Sequence, residues 1–143
     1  MDKWNERFLS MAELVGSWSK DPSTKVGAVI VRPDRTIASM GYNGFPRGVK
    51  DEYLDRDHKL LRTVHAEMNA ILSAREPFTG YGYTLYVSPL FPCANCAAAI
   101  IQSGVSAVVA RMGAMRPEWQ TSFDAAADLF NQSGVSVELY PVK

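Results

Sequence analysis

The chain has 143 residues, 47% hydrophobic and 21% charged, and its fifteen basic residues balance fifteen acidic ones. That length and composition describe one globular domain over 1–143 and exclude a low-complexity or disordered chain. Zero formal charge and a pI near 6.7 argue against a dedicated nucleic-acid binder, and no apolar run is long enough to span a membrane.

The elements follow in chain order. Trp4, Phe8, Met11, Ala12 and Val15 recur at helical spacing, so 3–18 reads as an amphipathic helix that Asp21-Pro22-Ser23 breaks. The β-branched run 26–31 is a buried strand, Pro33-Asp34 is a turn, and 36–42 pairs back as a hairpin. A loop, Asn43-Gly44-Phe45-Pro46-Arg47-Gly48, comes next, and the charged stretch 49–62 has no strand signal. Helices are expected over 65–75, 93–103 and 122–132, and strands over 83–88, 105–110 and 135–140. Three strand-to-strand connections contain a helix, which suits an α/β fold of three layers, α/β/α. Its mixed five-stranded sheet opens on an antiparallel hairpin, and the helix between the last two strands lets them run parallel.

The chemistry concentrates in His65-Ala66-Glu67 and Pro92-Cys93-Ala94-Asn95-Cys96. One imidazole and two thiolates are three zinc ligands that leave a tetrahedral position open to water, whose pKa the metal lowers. Glu67, two residues from His65, reaches that water without ligating the metal and is the expected acid and base. This H-x-E…P-C-x-x-C pattern is the signature of zinc-dependent nucleobase deaminases. Both ligand groups fall at predicted helix starts, where partial positive charge favours thiolates. A redox CxxC leaves His65 and Glu67 without a role. A structural zinc would need a fourth ligand, from His58 or a carboxylate. Both cysteines belong to the motif, and with no signal-peptide apolar region this fits a cytoplasmic enzyme better than a secreted disulfide protein.

These motifs resemble the deoxycytidylate (dCMP) deaminases of the cytidine-deaminase-like superfamily. The resemblance runs along nearly the whole chain, through Asp21–Ile30, the loop Gly41–Gly48, Val64–Ala70 and Phe91–Cys96. It implies conversion of dCMP to dUMP and ammonia for thymidylate synthesis. It also implies a homo-oligomer, commonly a hexamer, activated by dCTP and inhibited by dTTP, with Mg2+ accompanying the effector. An effector site is expected around Asn43, Gly44 and Arg47, against a purely structural loop. Asn43 is expected to touch the sugar, against a turn residue bonding local backbone. Lys25, Ala66, Ser88 and Trp119 complete the expected substrate contacts, with Trp119 either stacking on the base or packing in the core. Lys20, Ser23, Thr24, Arg111 and Arg116 join Lys25 as phosphate candidates or solvated surface residues. With only His58 left over, one zinc per subunit is expected. The rival readings are an RNA base deaminase and a nucleotide sensor without chemistry; neutral charge opposes the first and Glu67 the second.

Overall fold

The computed structural model describes residues 1–50, 52 and 55–143. Helix α1 (Lys3–Gly16) starts at Asp2, whose carboxylate accepts from the Trp4 and Asn5 N–H groups at 2.6 and 3.3 Å. Its Phe8, Leu9, Ala12 and Val15 form one buried stripe.

The sheet comprises β1 (Gly27–Val31), β2 (Ile37–Tyr42), β3 (Thr84–Ser88), β4 (Ala107–Met112) and β5 (Ser136–Pro141), in the order β2-β1-β3-β4-β5. Strand β1 is buried throughout because helices cover both faces. Its Ala28 and Ile30 join one apolar core, and the alternating Val29 and Val31 join the other, under α1. The first core gathers α3 (Ala66–Ser73), α4 (Ala94–Ser103) and α5 (Gln120–Ser133), giving the expected three layers. Strands β3, β4 and β5 are mutually parallel, as the crossover helices require.

Three findings extend or correct the sequence reading. Strand β1 is antiparallel to β3 as well as to β2, so the opening hairpin is not the sheet's only antiparallel pair. Part of the charged stretch 49–62 is a helix, α2 (Arg56–Arg62), capped by Asp55 accepting from the His58 N–H at 3.0 Å. It has charges matched to its dipole, Asp57 in the first turn and Lys59 and Arg62 in the last, but Leu60 and Leu61 are exposed, so no apolar period announces it. Of that stretch, 51, 53 and 54 lie outside the described residues. Finally, β4 begins two residues later than expected, and a 3-10 turn (Pro117–Trp119) leads into α5.

Two glycines set how close the helices come. A Cβ on Gly27 would lie 1.9 Å from the Ala12 carbonyl oxygen, and one on Gly41 would lie 2.5 Å from the Ala70 nitrogen. Gly27 thus seats α1 on one face, and Gly41 seats α3 on the other.

Candidate metal centre and active site

The segment before α3 is fixed by β2 and the loop after it. Gly44 and Val64 exchange backbone hydrogen bonds, 3.1 Å from the Gly44 N–H and 2.8 Å from the Val64 N–H. Ser39 Oγ donates to the Ala70 carbonyl at 2.7 Å, and Asn69 Nδ2 donates to the Tyr42 carbonyl at 2.8 Å. His65 is therefore delivered as the N-cap of α3, and Cys93 is the N-cap of α4. Neither side chain caps its helix. An imidazole and a thiol make poor caps, and both are left for another partner.

His65, Cys93 and Cys96 converge, each placing a ligand atom within 4.8 Å of the others. His65 Nδ1 lies 3.5 Å from Cys93 Sγ and 3.3 Å from Cys96 Sγ. Zinc bonds of about 2.05 Å to nitrogen and 2.3 Å to sulfur, at tetrahedral angles, require an N···S separation of about 3.6 Å. The donor set fits zinc in chemistry and spacing. Among the described residues no fourth His, Cys, Asp or Glu joins the group. His58 is elsewhere, exposed and with Nδ1 2.6 Å from Asp55 Oδ2.

The electrostatics of the cluster favour a cation. The Cys96 thiol bonds to Cys93 and, with His65, pulls the Cys93 thiol well below its ordinary range. The same contact pushes Cys96 up, and a metal held between the sulfurs would displace their protons. The bond to Cys93 raises His65. Glu67 is only 4% exposed, and burial pushes its carboxyl up to about 7.

A cavity of about 230 Å³ joins these groups, with His65, Ala66, Glu67 and Cys93 among its lining residues. Asn43, Ser23, Thr24 and Trp119 line it too, so those expected contacts are brought together. The Asn43 side chain also ties the chain before β1 to the end of β2, with Oδ1 accepting from the Val26 N–H at 2.9 Å and Nδ2 donating to the Thr24 carbonyl at 2.8 Å. Trp119 stands edge-on to Phe123, with ring centroids 6.1 Å apart.

Other expected residues lie apart from this cavity. Lys25 and Ser88 line a separate cavity of about 270 Å³. Arg111 lines it as well and is buried, donating to Glu6 at 2.8 Å across the α1 face. Arg116 is exposed, 3.8 Å from Glu118. Gly44 and Lys20 line a third cavity of about 360 Å³, and Arg47 is exposed.

Among the lining residues not singled out from the sequence are Arg56, Lys59 and Ser122. Lys59 is buried and donates to Asp21 at 2.9 Å, with both side chains 9% exposed. Arg56 has no carboxylate partner among the described residues and is the cavity's unpaired cation. The one available signal was Arg56-x-x-Lys59, a single helical turn, behind the capping Asp55.

A sheet of this topology, with a His-Cys-Cys group and a buried glutamate at two helix starts, defines a zinc-dependent deaminase of the cytidine deaminase type. Residues 2–112 match the family described as the cytidine and deoxycytidylate deaminase zinc-binding region, and the chain belongs to that family. It is 47% identical to an uncharacterized deaminase in the luxG 3′ region of Aliivibrio fischeri, over 99% of this chain and 97% of that one. It is 38% identical to the deoxycytidylate deaminase of Homo sapiens, over 94% and 78% of the two chains. The fold matches the dCMP deaminase of cyanophage S-TIM5 in complex with dCMP and dUMP, with a TM-score of 0.80, 28% identity and coverage of 97% and 98%. The chain is a deaminase.

Proposed function

We propose that this chain hydrolyses dCMP to dUMP and ammonia, supplying dUMP for thymidylate synthesis in the cytoplasm. The observation that carries the reading is one cavity presenting a buried carboxylate beside the His65, Cys93 and Cys96 group, together with a guanidinium unpaired among the described residues. The names of the human and phage relatives support the same substrate.

His65, Cys93 and Cys96 would hold one zinc per subunit, which supplies Lewis-acid activation of water at neutral pH. Glu67 accepts the proton of that water and passes it to the ring nitrogen of cytosine. The oxygen bonds to the carbon bearing the amino group. Glu67 then carries the second proton to the departing nitrogen, the carbon–nitrogen bond breaks, and ammonia leaves. Burial that raises this carboxyl above the ordinary range suits it to return a proton as well as take one. Arg56 takes the 5′-phosphate, which separates nucleotide from nucleoside. We place a dCTP or dTTP effector, with its Mg2+, in the cavity of about 360 Å³ that Gly44 lines, and expect assembly as a hexamer.

The test follows loss of the amino group by ultraviolet absorbance, with dCMP, deoxycytidine, dCTP and RNA offered separately, and with dCTP or dTTP added to the dCMP assay as effectors. Turnover of dCMP well above that of deoxycytidine is expected, and none of dCTP or RNA, with loss of activity on chelation and recovery with zinc. Arg56→Gln should raise KM for dCMP by about ten- to a hundred-fold, the worth of a hydrogen bond to a charged group, and leave deoxycytidine turnover unchanged. Failure to turn over dCMP, or turnover of RNA instead, refutes the substrate assignment.

A further inference from the structure

A metal-binding cysteine at a helix start creates a local problem. The Cys93 thiol cannot face both the metal and the first-turn N–H groups of α4. One of those groups is satisfied from another helix: the Ala94 N–H donates to Ser122 Oγ at 2.9 Å. Ser122 lies in the first turn of α5, a helix that supplies none of the three zinc ligands. Aromatic contacts hold it in register. Phe123 packs edge-on against Phe91, two residues before Cys93, at 6.3 Å between ring centroids, and against Trp119 at 6.1 Å. Ser122 also lines the cavity that His65, Glu67 and Cys93 line.

From this geometry we infer that Ser122 is a positioning residue for the metal centre. It takes the first free N–H of α4 and fixes the 93–94 peptide, and hence the direction in which Cys93 presents its sulfur. The inference rests on reading His65, Cys93 and Cys96 as a zinc site. Without the hydroxyl, the Ala94 N–H would face the cavity wall unpaired, and the cheapest relief is rotation of that peptide, which carries the thiolate with it. Outer-shell groups that orient ligands typically contribute ten- to a hundred-fold to metal affinity.

The experiment measures zinc affinity by competition with a chromophoric chelator, and the ligand-field and thiolate charge-transfer bands of the cobalt-substituted protein. It compares wild type, Ser122→Ala and Ser122→Thr. Ser122→Ala should bind zinc about ten-fold more weakly, show altered cobalt bands and lose kcat with KM for dCMP held. Ser122→Thr, which keeps the hydroxyl, should restore all three. Zinc affinity and cobalt bands unchanged in Ser122→Ala would overturn the inference, even if the metal-free protein melts lower, because the serine would then only stabilise α5. A wild-type chain that binds no zinc would overturn the metal reading beneath it, and this inference too.

Discussion

The two faces of the sheet solve the same packing problem and spend their polar groups differently. On the α1 face a glycine at 27 lets the helix close, and the charges settle among themselves: Arg111 pairs with Glu6, which also contacts Lys143. Asn5 bridges Tyr86 and Glu138 there. On the α3–α4 face a glycine at 41 does the same steric work, yet His65 and Cys93 sit at helix caps without capping, and Glu67 is buried with no cation paired to it among the described residues. The lesson is that local bonding economy is relaxed where chemistry is done.

The sharpest separation of the faces is Glu67→Gln. It should retain the fold and about one zinc per chain and lose deamination by about 10³-fold, within the range for general acid–base catalysis. Turnover and metal content measured on one sample check it, and a rate near wild type would remove Glu67 from catalysis.

The glycines come next. Gly27→Ala and Gly41→Ala each force a Cβ into backbone, at 1.9 and 2.5 Å, and should destabilise by about 4 kcal/mol. Urea unfolding measures that cost. Zinc affinity should split the pair: Gly41→Ala moves the helix bearing His65 and weakens binding, whereas Gly27→Ala leaves it intact in the folded fraction. Equal losses of zinc affinity would break the division between faces. Gly44→Ala is the control: nothing lies within 4 Å of its added Cβ, and its effect should stay within about 0.5 kcal/mol.

An effect smaller than either packing substitution concerns the ion pair beside the active cavity. Burial works against the Asp21 carboxylate, but Lys59 and the Thr24 and Ser23 N–H groups outweigh it and hold its pKa below the ordinary 3.8. A carboxyl depressed by folding stabilises the protein above its unfolded pKa, and that contribution disappears as pH falls through the folded value. Urea midpoints should therefore drop from pH 4 downward. Asp21→Asn should lose about 3 kcal/mol at pH 7 by stranding Lys59 and should flatten that acid limb. An unchanged acid limb would remove the pair from the stability of this wall.

What was legible in the sequence was local. The run 26–31, the His65–Glu67 spacing and the Cys93–Cys96 turn each carry their meaning within a few residues, and the two helix starts were enough to bring the ligands together. Strand β1 lying between β2 and β3 was not legible, because its second partner is more than fifty positions away in the chain. Helix α2 escaped notice because seven residues with exposed leucines have charges but no apolar period. Arg56 and Ser122 matter only through what faces them across the cavity and at the start of α4, and no spacing rule records that.

The central place of β1 orders the assembly of the protein. Its pairing with β2 closes a short loop and can form early, whereas β3, β4 and β5 join through helical crossovers whose closure costs more chain entropy. The histidine lies on the first crossover and the cysteines on the second, so we expect a bound ion to be captured late in folding rather than to serve as its nucleus. Zinc added during refolding should therefore slow unfolding and leave the folding rate almost unchanged.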